Sequence, residues 1–371
     1  MLTVTLVCSS LIRLGPTNVI YNMLNAYYSK KGDINFKIVT ISPEEGDSRI
    51  QEFLDLDINV ECANIQPGIK GILHAKKLKT LILSTNPDIV HSYGFRADMM
   101  VSLMDFGDIP KVSSLWNNPF DDYTMLFGKI KGYLMAVAHL RQLRKFNNVV
   151  VCSEFIKEKV EEPKLNLSVI YTGVPSNYFV PLNLEEKNER RKQLNISPNT
   201  KVYLFIGNLI NRKNPKFLIE SFKRLNDENK LLIIMGDGPL MGECIELVGD
   251  NKNIRLIGAQ PGTLYYLQIA DFYISASLSE GFPTAVLEAM GVDVIPILSD
   301  IAPHREMIKV LPANLIFKNN DFESISDVII KNENINIPVR EIFLDNYSAD
   351  TMQKKYIDLY KNCIVSNNTK C

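Results

Sequence analysis

Short apolar runs recur along this chain, and each is followed by a stretch whose apolar positions fall at helical spacing. Thr3–Cys8 is the first run; Asn18–Ser29 follows as a helix with Ile20, Met23, Leu24 and Tyr27 on one face. Phe36–Ile41, Asp88–His91, Lys111–Leu115, Asn148–Cys152 and Leu167–Tyr171 then read as further strands. Alternation of this kind predicts a parallel, doubly wound sheet. It breaks over Gly173–Arg191, where Pro175, Pro181 and a charged run intervene. It resumes with Lys201–Ile206, Lys230–Met235, Ile254–Ile257, Asp271–Ala276 and Val294–Leu298. The expected class is α/β: two doubly wound domains, residues 1–175 and 176–348, facing a central cleft at the carboxyl ends of their strands. An amphipathic helix over about Ala349–Val365, with Tyr356, Leu359 and Tyr360 suitably spaced, closes the chain.

Composition narrows the function classes. A length of 371 residues suits two cores, and 46% hydrophobic with 22% charged residues describes an ordinary globular chain. A formal net charge of -1 argues against nucleic acid as the main partner. Cys8, Cys62, Cys152, Cys244, Cys363 and Cys371 show no metal-ligand spacing, and the two inside apolar runs read as buried thiols. Met1–Val7 lacks a basic leader, and no apolar run reaches about 18 residues. A cytoplasmic protein is expected.

The chemistry concentrates where a strand turns into a helix. After Phe272–Ala276 come Gly281 and Pro283, and then Val286, Leu287 and Met290 share one helical face. Proline is tolerated in a first turn. Gly281 allows the backbone to approach a ligand, and first-turn N–H groups form an anion site. Glu280 and Glu288 bracket it. Amides for phosphates and carboxylates for hydroxyls suit a sugar nucleotide; an ordinary helix start with a surface Glu at each end fits the spacing equally. A second strand-to-helix loop, Gly207–Pro215, carries Arg212 and Lys213. These neutralise the charge of a departing diphosphate, or else form a solvated basic turn.

Glu280 and Glu288, with Gly-Phe-Pro after the first, resemble the E-x7-E motif of family 4 retaining glycosyltransferases. The resemblance implies the GT-B architecture of two Rossmann-like domains, its last helix crossing back onto the first. It implies that Glu288 holds the donor ribose, that Glu280 lies against the donor sugar, and that Gly281, Phe282, Pro283 and Thr284 cap the phosphates. The loop from Gly207 resembles a Gly-Arg…Lys-Gly segment that grips the diphosphate. Lys213 falls at the family Lys, Asn214-Pro215 replaces the usual Gly, and Asn208 stands where the Arg is found, which leaves Arg212 as the candidate second cation. The catalytic set so implied is Glu280, Lys213 and Arg212.

The first half carries weaker counterparts. Gly15, in Gly15–Asn18, resembles a glycine loop facing the donor phosphates, with Pro16 as helix entry and Asn18 as cap the structural alternative. His91, at a strand end, opens a segment resembling His-x-His-Gly with Tyr93 at the second His; it is either structural, the commoner role of a lone His there, or on the sugar and acceptor side. Trp116 and Asn117 stand where many relatives have Thr-x-His facing the sugar; Trp116 either stacks on a sugar ring or packs. Gly236–Gly242 looks like a dinucleotide fingerprint but also matches the family's structural Gly-Asp-Gly-Pro turn. Asp55-Leu56-Asp57 is rejected as a metal site. His74 and His139 fit no motif, and Glu306, near His304, reads as structural.

From Tyr123 to Asn148 the chain has Lys129, Lys131, Arg141, Arg144 and Lys145 and no acidic residue. That run is either a core helix with a solvated face or a patch for an anionic membrane surface. The resemblance implies a metal-independent hexosyltransferase without cofactor. Its donor would be a nucleotide-diphosphate sugar, UDP favoured, and its acceptor a glycan or polyprenyl-diphosphate-linked saccharide of bacterial surface polysaccharide, met at the inner face of the cell membrane. Two rivals are a sugar-nucleotide epimerase of the same architecture and a nucleotide-binding member without transferase activity.

Overall fold

The computed structural model describes the chain except for residues 31, 67, 69–73, 161, 163 and 369–371. Two compact units emerge: Met1–Gly173 with Ala349–Cys371, and Val174–Ser348. The first is built on β1 (Leu2–Cys8), β2 (Ile34–Thr40), β3 (Asn59–Cys62), β4 (Ile89–Tyr93), β5 (Lys111–Leu115), β6 (Asn148–Val151) and β7 (Leu167–Val169). These pair in parallel in the order β3-β2-β1-β4-β5-β6-β7. The second holds β8 (Lys201–Ile206), β9 (Lys230–Met235), β10 (Ile254–Gly258), β11 (Phe272–Ser275), β12 (Ile295–Ser299) and β13 (Ile316–Phe317). Its order is β10-β9-β8-β11-β12-β13, again parallel. Strands covered on both faces read as continuous apolar runs, as in the fully buried Lys230–Met235. In each sheet the order reverses once, between β1 and β4 and between β8 and β11. Loops leaving the carboxyl ends there splay apart and make room for ligands.

Three local features differ from the sequence expectation. The first helix is Gly15–Tyr28 and begins three residues early, with Leu14 at its N-cap. Asn18 does not cap it; its Oδ1 accepts from Arg49 Nη1 at 2.6 Å. The charged run is not a break but a helix, Leu184–Gln193, started by a capping box between Asn183 and Glu186. Lys187 and Arg191 from that helix reach the Asp271 carboxylate at 2.9 and 2.7 Å, which ties it to the foot of β11.

The closing helix, Ala349–Asn368, packs on Gly15–Tyr28 within the first unit. Its Met352, Tyr356 and Tyr360 are buried in that unit's core. Polar bonds hold it as well. His91 Nδ1 lies 2.7 Å from Tyr360 OH, His91 Nε2 lies 2.9 Å from Ser114 Oγ, and Ser114 Oγ lies 3.2 Å from Tyr356 OH. His91 is completely buried, so burial pushes its pKa down to about 3 and the ring stays neutral. With both ring nitrogens engaged inside the core, His91 has none to offer a sugar.

Candidate active site

The loops after β8 and β11, neighbours at the switch point of the second sheet, converge on one carboxylate. Glu280 receives Lys213 Nζ on Oε1 at 2.5 Å and Arg212 Nη1 on Oε2 at 2.8 Å. Arg212 Nη1 also donates to the Ser279 carbonyl at 2.7 Å, and the Leu278 N–H donates to the Arg212 carbonyl at 2.8 Å. The Glu280 side chain is only 7% exposed. Burial alone would raise its pKa, but the charges of Lys213 and Arg212 outweigh this and hold it below the usual carboxylate range. The cluster is therefore two cations around one carboxylate, with an excess of positive charge.

Backbone geometry explains how the cations are aimed. Arg212 and Lys213 lie in a short 3-10 turn, Asn211–Lys213, that ends on Asn214 with φ of 54°. Asn is one of the few side chains that adopts this left-handed region readily, and Pro215 then opens the next helix. Asn208 is exposed, while the Lys213 chain runs alongside Gly207. The Gly236-Asp237-Gly238 turn is packed against this loop. A Cβ on Gly236 (φ +142°) would lie 1.9 Å from the Gly207 carbonyl oxygen. Leu209 N–H donates to the Asp237 carbonyl at 2.9 Å. That glycine pair is a brace for the cation loop.

Past Glu280 the chain turns through Gly281, Phe282 and Pro283 into the helix Thr284–Gly291, with Pro283 at its N-cap. Phe282 is buried against the Tyr347 ring, so it anchors the turn by packing. Thr284, by contrast, is exposed, and the first-turn N–H groups lie ahead of the intrahelical ladder. Glu288 accepts from Thr263 Oγ1 at 2.9 Å, and burial lifts its carboxyl to a pKa of about 7 despite that bond. Tyr273, within the field of both carboxylates, has its phenol pushed far up, first by burial and then by Glu280 and Glu288. One glutamate is thus held ionised by cations, and the other sits half-protonated near neutrality.

The remaining expected residues lie in the first unit. Gly15 opens the first helix with open space where a Cβ would stand. Trp116 is partly buried and parallel to the Tyr93 ring, 6.3 Å between centroids, beside the exposed Asn117. Its Nε1 is shut away from solvent with no partner among the described residues.

Three residues around Glu280 and Glu288, namely Ser277, Ser299 and Thr263, escaped the sequence reading, and His304 was given no role there. Ser277 hydrogen-bonds Glu280, Ser299 Oγ donates to the Ser277 carbonyl at 2.6 Å, and Thr263 meets Glu288. His304 Nδ1–H donates to the Ser299 carbonyl at 2.9 Å; burial lowers its pKa to about 4. The only advance signal of Ser277, Ser299 and Thr263 was position, just past β11, at the end of β12 and in the loop after β10. Among the described residues no group of three His, Cys, Asp or Glu is placed to hold a metal ion.

Residues 186–346, which include both loops, match the family profile described as Glycosyl transferases group 1. The UDP-Gal:alpha-D-GlcNAc-diphosphoundecaprenol alpha-1,3-galactosyltransferase of Escherichia coli is 27% identical over 47% of this chain and 47% of its own. The O-antigen biosynthesis glycosyltransferase WclY of Escherichia coli is 25% identical over 90% of this chain and 96% of its own. The chain spans between 47 and 58% of the length of the first curated relatives it matches. Anabaena HepE, solved with UDP and glucose, superposes with a TM-score of 0.76 at 14% identity, covering 98% of this chain and 100% of that one. The fold, two doubly wound parallel-sheet units in one chain, is that of the GT-B glycosyltransferases. Lys213, Glu280 and Glu288 all lie within residues 186–346, the stretch that matches the group 1 glycosyl transferases.

Proposed function

We propose that the protein transfers a hexose from a nucleotide-diphosphate sugar, with UDP as the nucleotide, to a glycan or polyprenyl-diphosphate-linked saccharide. The anomeric configuration is retained, no metal takes part, and the product enters a surface polysaccharide at the inner face of the cell membrane. The observation that carries this reading is the convergence of Lys213 and Arg212 on Glu280 at the switch point of the second sheet. As the bond between the anomeric carbon and the β-phosphate oxygen breaks, its electron pair stays with the diphosphate. Two fixed cations stabilise that growing charge without reorganisation, the part that a divalent metal plays in other transferases. Lys213 has three donors and Arg212 five, so both can hold Glu280 and still reach phosphate oxygens. The acceptor oxygen bonds to the anomeric carbon, and its proton leaves to the departing phosphate. Glu288 receives the ribose hydroxyls. The UDP-Gal and diphosphoundecaprenol in one relative's name, and UDP in HepE, support the donor and acceptor classes.

The test is incubation of the purified chain with a panel of UDP-sugars and a lipid-linked GlcNAc acceptor, with the product's anomeric configuration read by NMR. An α-linked product from an α-linked donor is the expected result. Conversion of the free donor to its epimer would assign the epimerase reading instead. Nucleotide binding with neither transfer nor hydrolysis of any donor would leave a binding protein.

A further inference from the structure

The Glu280 carboxylate has a third donor that does not come from the cation loop. Ser277 hydrogen-bonds it from three residues upstream, where the chain leaves β11. An ionised carboxylate only accepts, so the Ser277 hydroxyl is the donor in that bond. Ser275, two positions back along an extended chain, lies on the same face. Its Oγ donates to Ser277 Oγ at 3.1 Å, which leaves the single Ser277 proton free to point at Glu280. The backbone of Ser277 is fixed as well. Ser299 Oγ donates to its carbonyl at 2.6 Å, and the Ser299 carbonyl receives His304 Nδ1–H at 2.9 Å.

The three donors to Glu280 differ in what else they can reach. The side chains of Arg212 and Lys213 are 36% and 18% exposed, so a diphosphate can draw on both. Charge growing on its oxygens weakens the hold of both cations on Glu280. That carboxylate is itself nearly shut off from water, so solvent is a poor substitute for them. Ser277, by contrast, is completely buried, as are Ser299 and His304. It can reach no ligand, and its bond to Glu280 is not for hire.

We propose that Ser277 is a positioning residue for the transfer: its buried hydroxyl keeps the Glu280 carboxylate in place while Lys213 and Arg212 turn to the departing diphosphate. The role rests on the transfer reading and adds a division of labour to it. Two cations are shared between the carboxylate and the leaving group, and one neutral donor is reserved for the carboxylate. The bonds run in one direction, from Ser275 to Ser277 to Glu280, and a hydroxyl that accepts one bond donates the next more strongly.

The experiment is a carbon-13 NMR titration of the Glu280 carboxyl in the full chain, free and with UDP, its signal identified by its loss in Glu280→Gln. Removing a donor to the charged form favours protonation. In Ser277→Ala the midpoint should therefore move upward by about one pH unit, and further with UDP than without it. Ser299→Ala loosens the Ser277 backbone but spares the hydroxyl, so it should lower the melting temperature and leave the midpoint in place. In Ser277→Ala, kcat should fall roughly tenfold or more at an unchanged donor KM, with the acid limb of the pH profile displaced as the midpoint is. An unmoved midpoint would overturn the proposal. So would an equal rise in Ser299→Ala, which would assign the effect to loosening, or a raised midpoint with wild-type kcat. Absence of transfer by the wild-type chain from any UDP-sugar would count against the transfer reading, and the titration with UDP would still decide whether Ser277 holds Glu280.

Discussion

Lys213 Nζ lies 2.5 Å from Glu280 Oε1, an ion pair joining two loops whose residues are 67 positions apart. It locks the loop after β8 to the loop after β11, and Arg212 completes the lock on the other carboxylate oxygen. Glu280→Gln keeps the shape but leaves two cations facing an uncharged amide. Urea unfolding at pH 7 should show a loss of about 1.5–3 kcal/mol, the range for hydrogen bonds to charged groups. Because the folded carboxyl is held below its ordinary pKa, its contribution is full above the usual carboxylate range and is lost as pH falls through the lowered value. The difference between wild type and variant should therefore close in acid. A pH-independent difference would mean that charge is not what holds the loops.

Glu288 predicts the opposite pH behaviour. Its folded pKa of about 7 lies above the ordinary 4.5, so from about 4.5 to 7 the folded chain holds a proton that the unfolded chain has released. Its share of stability is full below that window and declines as pH rises through it. Ribose hydroxyls donating to this group favour the carboxylate, so nucleotide binding should release a proton below pH 7 and tighten as pH rises to that point. Calorimetry in buffers of different ionisation enthalpy reads the released proton directly. Glu288→Gln should weaken UDP binding by about 1.5–3 kcal/mol and remove the pH dependence. Unchanged affinity in the variant would move the ribose elsewhere.

Gly236→Ala tests the brace beneath the cation loop. The added methyl would fall on the Gly207 carbonyl oxygen at a φ that side chains rarely adopt. A loss of about 1–3 kcal/mol in thermal or urea unfolding is expected, together with reduced turnover as the Gly207–Lys213 loop shifts. Turnover retained in a destabilised variant would show that the loop keeps its place without the brace.

His91→Ala separates packing from sugar recognition. The change strands Tyr360 OH and opens a cavity, so destabilisation of about 2–5 kcal/mol is expected. The donor KM of the surviving folded fraction should match wild type. A raised KM with unchanged melting temperature would return His91 to the sugar.

Much of the fold was legible because both sheets are parallel: strands buried on two faces leave uninterrupted apolar runs such as Lys201–Ile206. β3 was missed because Asn59–Cys62 is a short edge strand with partly exposed side chains, and β13 because it is two residues long. The helix Leu184–Gln193 has almost no apolar face; its signals are the capping box and a single buried Arg191. In the site, the resemblance located Glu280, Glu288 and Lys213, but no periodicity reveals that Arg212 turns inward onto Glu280. The bond from His91 to Tyr360 was not legible, because the two lie 269 residues apart. Ser277, Ser299 and Thr263 are common polar residues that acquire meaning only from the ends of the strands beside them.

The central claim is that Lys213 stabilises charge on the departing diphosphate, and Lys213→Ala assayed at saturating donor tests it most directly. A cation that bonds the leaving group more strongly in the transition state than in the bound substrate accelerates only the chemical step. Turnover should fall by about 2–4 kcal/mol, roughly thirty- to a thousandfold, while donor affinity changes far less. Arg212→Ala should show a comparable defect, because its guanidinium shares the same carboxylate. Wild-type turnover in Lys213→Ala at saturating donor would contradict the account and leave the Lys213–Glu280 pair a structural lock between two loops.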